Sequence, residues 1–463
     1  MKTKSYEIDM TRGPVLKGLI HFAVPLAASS LLQLLFNAAD VIVIGQFSSS
    51  NSLAAVGADG LVVGLFANIF LNIAVGTTVL ASKYLGAGEN QKIHKVMNTS
   101  FALAATMGIF FTIFMYILGK PFLLLLKTPA EVMPAALQYL YFYLAGLPGV
   151  ALYNFGAALL RAKGDTKRPF FFLLVSGVLN VFMNLFFVIV CHMDVAGVAL
   201  ATTISQYIAT LMLFICLAHE KDSFHLDFHQ TAKFSLHDIE ANRDELKFIL
   251  KIGVPSALQC LMFYISNFVI QAAINSFGPV TMAGNAAASN IEMFVWVCMS
   301  GFEQAGMTYI SQNLGAHEYR RIDCVNRKSI LCTALTGLIL GSLVALFAKQ
   351  LMHVYTQDSA TITQGVIRIR MICGTYALCG IMDCIAANTR GLGYSLVPSI
   401  ISMFGACILR IVWIYTVFSI PKYHTLQCLY FVYPGSWIVT AIILAVFYKV
   451  IRNKVWEDAA TSF

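Results

Sequence analysis

Charge is the scarce commodity in this chain. Asp, Glu, Lys and Arg together make up 12% of its 463 residues, where a soluble globular protein carries about a quarter. Hydrophobic residues make up 58%, and the mean hydropathy is +0.73. A chain this long cannot cover a water-facing surface with so little charge. That excludes a soluble enzyme, a nucleic-acid-binding domain and a disordered chain. Several motifs are absent as well. No GxxxxGK[ST] phosphate loop occurs, and GKPF at 119–122 does not supply one, so nucleotide hydrolysis is not the expected energy source. The eleven Cys form no CxxC pair and read as small apolar packing residues rather than disulfides or metal ligands. No HExxH occurs, and neither a Ser/His/Asp cluster at one depth nor paired catalytic carboxylates stand out. We therefore expect no enzyme.

Long apolar runs fill the space that charge leaves. A membrane-spanning helix needs ~20 mostly apolar residues, and the sequence offers about twelve such stretches: 18–46, 53–82, 96–118, 132–160, 169–191, 196–218, 247–277, 281–311, 328–348, 361–389, 396–419 and 427–451. They are too long for barrel strands, so the expected fold is an all-α integral membrane protein. The charged start MKTKSYEIDMTRGPVLKG runs into a span far longer than a signal-peptide core, so no cleavage is expected. Basic residues gather on one side. The termini and even connections hold Lys2, Lys4, Arg12, Lys17, Lys83, Lys92, Lys95, Arg161, Lys163, Lys167, Arg168, Lys221, Lys233, Arg243, Arg320, Arg321, Arg327, Lys328, Arg390, Lys449 and Arg452, among others. The odd connections and helix ends hold Lys120, Lys127, Lys349, Arg368, Arg370 and Lys422, and Arg410 sits inside a span. Lys and Arg mark the cytoplasmic side, so both termini are expected there. The net charge of +8 reads as topology, not as a surface for nucleic acid.

The chain repeats itself. FAVP at 22–25 aligns with IGVP at 252–255, KYLGAGE at 83–89 with QNLGAHE at 312–318, and RAKGDTKRP at 161–169 with RGLGYSLVP at 390–398. One near-constant offset links all three, placing Pro25 on Pro255. The expected domains are a six-helix lobe over 1–218, a cytoplasmic linker over 219–246 and a second six-helix lobe over 247–463. Six is even, so the lobes are parallel repeats about an axis along the membrane normal. That is a transporter design, with the substrate path at the repeat interface.

Ionisable groups at membrane depth are costly and therefore candidates for function. Gln33, Asn37 and Asp40 form one polar stripe on the first span, bordered by Phe36. Ser176, Asn180 and Asn184 form another on the fifth span. At 1.5 Å per residue, Asp40, Asn184 and Thr202 of the sixth span all lie ~10 Å from the outer helix ends. In the second lobe, Asp383 falls on Asn154 at the repeat offset. Glu303 and Asp383 lie at similar depths in the inner half. Glu292 and Arg410 lie at similar depths in the outer half, where a structural ion pair is expected. Pro25 and Pro255 can kink their helices.

The motifs together resemble the multidrug and toxic compound extrusion (MATE) family of bacterial efflux transporters. The resemblance covers nearly the whole chain. It is carried by FAVPLAASSLLQLLFNAADVIVIGQF at 22–47, LAAVG at 53–57, YLGAGE at 84–89, LRAKGDTKRP at 160–169 and QNLGA at 312–316. It implies a cation antiporter that expels cationic amphipathic compounds from the bacterial inner membrane against proton or sodium entry, with no other cofactor. It also implies an ion site at Asp40, Asn180 and Thr202, with Asn184 standing where many relatives have a second Asp. The helix-seven Glu and helix-ten Asp of the sodium-linked branch are replaced near Phe263 and Cys379, so that branch's site is not carried over; Asp383 remains a candidate for coupling. Cavity-lining candidates are Gln33, Phe36, Asn37, Asn154 and Ser176 on one side and Tyr264, Trp296 and Met299 on the other, because aromatic faces and polarizable thioethers suit organic cations. Expected partners are such small molecules and the lipid bilayer, with the chain a monomer. The rival reading is a flippase or exporter of a lipid-linked saccharide or metabolite. In-span acids outnumber in-span bases, which favours cationic cargo.

Overall fold

A computed structural model describes residues 6–125, 128–227 and 242–461. Part of the expected linker, 228–241, lies outside the described residues, as do Lys2, Lys4, Lys127 and Lys233. The described residues form helices and no strand: α1 (Val15–Phe47), α2 (Ser50–Gly86), α3 (Asn90–Leu125), α4 (Met133–Leu144), α5 (Leu147–Ala162), α6 (Lys167–Leu185), α7 (Asp194–Ala218), α8 (Arg243–Asn275), α9 (Pro279–Gly315), α10 (Tyr319–Leu346), α11 (Ala348–Tyr355), α12 (Ser359–Cys373), α13 (Tyr376–Gly391), α14 (Leu396–Ser402), α15 (Leu409–Tyr415) and α16 (Leu426–Ala460). A π-helical turn, Phe186–Val190, extends α6, and another, Met403–Ile408, joins α14 to α15.

Nine of these helical stretches are long and apolar enough to cross a membrane, and two bent pairs bring the number to 11. The twelfth expected span is α9, which is 37 residues long but carries Asn285, Ser289, Asn290, Glu292, Ser300 and Glu303. Its polarity is used inside the protein, where Asn285, Glu292 and much of its length are buried. Large apolar side chains such as Ile109, Phe110, Ile113 and Ile117 of α3 and Ile442 and Val446 of α16 stand exposed. An exposed apolar band of this kind needs lipid as its solvent.

The repeat is visible in the backbone. The bent pairs are α4–α5, at 45°, and α12–α13, at 46°, and their breaks fall at Ala145–Gly146 and Gly374–Thr375. At the first break, helix carbonyls lose their partners and side chains replace them. Thr112 Oγ1 donates to Leu144 O at 3.0 Å, Thr203 Oγ1 to Phe142 O at 2.9 Å and Tyr207 Oη to Ala145 O at 2.8 Å. That replacement lets a break persist away from water. Gly164 and Gly393 both have φ 91°, and Gly88 (φ 72°) matches His317 (φ 58°). The left-handed turn is thus kept in both halves, and one copy holds it with a residue other than glycine.

The chain forms two compact units, and their boundaries differ from those expected. Unit 1 comprises residues 1–8 and 28–253, and unit 2 comprises 9–27 and 254–463. The first helix of each repeat therefore begins in the unit that holds the rest of the other repeat. It changes unit beside its proline, Pro25 in α1 and Pro255 in α8. Close glycine contacts explain the exchange. In unit 1, Gly253 lies so near Ile73 that an added Cβ would come 2.6 Å from Ile73 O, and Ile249 joins the core formed by Leu80, Ile93, Phe101, Leu160 and Leu213. In unit 2, a Cβ on Gly301 would come 2.8 Å from Ala23 O, and Phe22 packs edge-on against Tyr309. Small residues let helix backbones approach in membranes.

Candidate ion-coupling site

Asp40 reaches the interior of unit 1 because α1 turns one face inward at that depth. The carboxyl is 7% exposed, beside Asn180 at 4% and Asn184 at 0%. Asn184 Nδ2 donates to Asp40 Oδ1 at 2.5 Å, and Thr202 Oγ1 donates to Asp40 Oδ2 at 3.3 Å. Asn180 satisfies both ends of its amide when its nitrogen donates to Asp40 Oδ1 at 3.0 Å and its oxygen accepts from Thr202 N at 3.2 Å. Asn184 Oδ1 is buried and has no hydrogen-bond partner among the described residues. The structure thus gathers Asp40, Asn180, Asn184 and Thr202 from α1, α6 and α7 around one carboxyl. Tyr139 and Tyr143 of α4 lie within its electrostatic reach. The arrangement has one acid, two amides and a hydroxyl. It can hold a proton on the carboxyl or offer oxygens to a small hard cation.

The rest of the stripe behaves differently. Gln33 and Asn37 are exposed. Phe36 lies against Gly177 of α6, where a side chain would collide with its ring. Ser176 bonds its own helix at Leu173 O, 3.2 Å away, and Asn154 does the same at Val150 O, 2.8 Å away. On α8, Tyr264 is half-buried.

Unit 2 corrects three expectations. Glu292 does not pair with Arg410. Its carboxylate takes both Nε and Nη2 of Arg368, at 2.5 and 2.9 Å, while Arg368 Nη1 reaches Asn285 Oδ1 at 2.6 Å. Arg368, read from sequence as a helix-end residue, is instead 7% exposed. Arg410 donates to Ser436 Oγ at 3.0 Å and lies over the Tyr433 ring at 4.4 Å. Met299 does not line a cavity: at 0% exposure it fills the space left by Gly337 and Gly380. Trp296 is 39% exposed and reaches Asp383. Asp383 also accepts a weak bond from Cys379 Sγ at 3.6 Å. Glu303 and Arg390 stand within electrostatic reach of Asp383, and Arg390 donates to Gln259 Oε1 at 2.6 Å.

Outside the spans, Lys163 is enclosed by Glu7, at 2.8 Å, Glu220, at 2.7 Å, and Asp222. Arg168 pairs with Glu220 and Asp165 and lies under Tyr6. Glu7, Glu220 and Asp222 are close enough together to ligate a metal, but Lys163 already sits among all three and Arg168 pairs with Glu220. Burial works against the Lys163 ammonium, and the hydrogen bonds from Asp222, Glu220 and Glu7 outweigh it, so its pKa stands above the ordinary lysine value. Sequence reasoning missed Arg368 as a buried partner and Asp59 of α2 as a buried acid. The signal for Asp59 was present: a lone carboxyl inside an apolar run.

The family model described as MatE matches residues 25–186 and again residues 255–416. The chain belongs to the MatE family. It is a multi-pass membrane transporter, as members of that family are. Relatives of this MatE protein include the Bacillus subtilis protein named probable multidrug resistance protein YoeA, 24% identical over 444 residues and covering 94% of this chain and 93% of the relative. The Thermotoga maritima protein named probable multidrug resistance protein NorM is 23% identical, covering 91% and 88%. Among solved structures, one described as the outward-facing conformation of a multidrug resistance MATE family transporter of the MOP superfamily matches with a TM-score of 0.88 at 22% identity, covering 99% of this chain and all of that one. Two copies of the family match beginning at Pro25 and Pro255 account for the repeat read from sequence.

Proposed function

We propose that this MatE protein exports cationic amphipathic compounds across the bacterial plasma membrane, its termini cytoplasmic, in exchange for protons bound at Asp40. One observation carries the reading: a buried carboxyl ringed by Asn180, Asn184 and Thr202 in unit 1. Amides suit a proton cycle because they donate or accept on reversal. They donate to an ionised Asp40, and Asn184 Oδ1 is free to accept from a protonated one. Loading neutralises the only acid in this ring, which removes the reason for the helices to hold their donors there. That differential gives ion binding its grip on alternating access. Relatives named for multidrug resistance support a drug-like cargo, and the in-span acids favour cations over phosphates.

The unpartnered Asn184 Oδ1 supports a second reading, sodium at the same place, held by oxygens of Asp40, Asn180, Asn184 and Thr202. Proteoliposomes separate the two. A pH gradient in sodium-free buffer drives ethidium counterflow if the proton is the coupling ion, and a sodium gradient at equal pH does so otherwise. In a pump-deficient bacterium the protein lowers ethidium or fluoroquinolone accumulation, and Asp40→Asn abolishes this at unchanged expression. Unaltered accumulation across a broad cationic panel would sink the drug-export reading in favour of a saccharide or metabolite cargo.

A further inference from the structure

Asp59 of α2 lies outside the ring around Asp40. It is 0% exposed, and neither of its carboxyl oxygens has a hydrogen-bond partner among the described residues. At 1.5 Å per residue it lies ~13 Å from the Ser50 end of α2, and Asp40 lies ~10 Å from the adjoining Phe47 end of α1, so the two are at nearly one depth. Its neighbours one turn away, Ala55, Val56 and Val62, are buried and apolar. Structure alone does not require an acid here. The repeat places Ala288 or Ser289 at the same point of α9, and Ala288 is buried at 0%.

Of the elements packed on α2, α4 brings Tyr139 within electrostatic reach of both Asp59 and Asp40. The charged groups of α3 are confined to Lys92, His94 and Lys95 in its first turns and exposed Lys120 near its far end. α5 offers Tyr153 and Arg161, and α7 offers Tyr207, Cys216 and, at its start, Asp194. Asp194 accepts from Ser52 Oγ at 2.6 Å. Ser52 lies on the Asp59 face of α2, two turns nearer the helix start.

A carboxyl so enclosed either carries a proton or is matched by a cation. A metal cation is held by several oxygens, and the side chains of Ala55, Val56 and Val62 bring none. A proton needs one. We infer that Asp59 is a second proton-carrying carboxyl of this transporter, working beside Asp40 within unit 1. Loading moves a proton from hydronium to the Asp59 carboxylate, leaving water and a neutral acid; unloading returns that proton to water. The Ser52–Asp194 pair marks the approach from the outer end, and Tyr139 stands within electrostatic reach of both acids. This rests on the transport reading, but Asp59 carries a proton whichever ion Asp40 takes.

The test reads Asp59 directly. Purified protein in lipid is followed by pH-difference infrared spectroscopy in the carboxylic-acid stretch region. The Asp40→Asn protein is expected to keep a titrating acid band that disappears in Asp40→Asn/Asp59→Asn and shifts in Asp40→Asn/Asp59→Glu. In proteoliposomes, Asp59→Asn is expected to lower the number of protons exchanged per ethidium. Coincident spectra for the Asp40→Asn protein and both double variants overturn the proposal. A titrating Asp59 band in a protein that exports no drug keeps the proton site and removes the drug reading alone.

Discussion

Arg368 spends its charge entirely inside unit 2, on Glu292, Asn285 and the ring of Tyr430. Removing one partner of a buried pair leaves the other uncompensated, at a cost of about 3–5 kcal/mol, whereas removing both is often neutral. Arg368→Met is therefore expected to lower the melting temperature in detergent strongly, and Glu292→Gln/Arg368→Met to recover most of it. Arg410 stacks on Tyr433 and Trp437 with no carboxylate among the described residues on its guanidinium, so Arg410→Met costs less. Equal losses in the two single variants would contradict this ranking. At the Asp40 ring, Asn184→Asp places a second acid within hydrogen-bond distance of the first. Two anions at one spot attract a cation more strongly than one, so sodium dependence of transport is expected to rise in this variant; a fall contradicts the ring's role. These residues differ in how far the sequence revealed them. Asp40, Asn184 and Thr202 are legible because helical spacing and depth bring them level, and Asn180 because it shares the Asn184 stripe and the family resemblance implies it. The partner of Glu292 was not, because depth cannot choose between two arginines and Arg368 sits only a few turns from a helix end. Asp59 has no polar neighbour at helical spacing except Ser52, so no stripe announced it.

The helices themselves followed from hydropathy, with one instructive exception. Eleven stretches declare themselves by apolar composition, while α9 is more polar because its length lies inside unit 2. The bends at Gly146 and Gly374 fall within runs that read as single spans, since apolar composition does not record a helix axis. The exchange of α1 and α8 between units was equally hidden, because hydropathy says a helix crosses but not what it crosses against. Glycine carries that information. A Cβ on Gly253 would meet the backbone of Ile73, which is rigid, so Gly253→Val is expected to cost about 1–3 kcal/mol by overpacking and to reduce the yield of monodisperse protein. Gly57, also helical, has nothing within 4 Å of its Cβ position. Gly57→Ala is expected to stabilise the chain slightly, since Ala is favoured over Gly in a helix by about 1 kcal/mol. Equal tolerance of both substitutions would show that the α8–α2 approach is not a tight one.

At the scale of the molecule, scarcity of charge sets where each charge goes. Inside the spans a few acids and arginines are paired, stacked or held in rings. Outside them, charges of opposite sign collect into networks, of which the cluster around Lys163 is the densest in unit 1. It ties the N-terminal segment through Glu7, the turn after α5 through Lys163 and the segment after α7 through Glu220 and Asp222. Lys163 is nearly enclosed, at 6% side-chain exposure, so its three anions have little water to fall back on. Its raised pKa fixes the sign of the pH effect. A group whose folded value exceeds its unfolded one contributes full stability below the unfolded lysine value, about 10.4, and loses it as pH rises through the folded value. The melting temperature is thus expected to be insensitive to this group near neutrality and to fall in strongly alkaline buffer. Lys163→Met is expected to lower it at neutral pH, by a loss of roughly 3 kcal/mol, and to flatten the alkaline part of the profile. An alkaline fall of unchanged size in Lys163→Met would assign that titration to other groups and reduce the cluster to a surface feature.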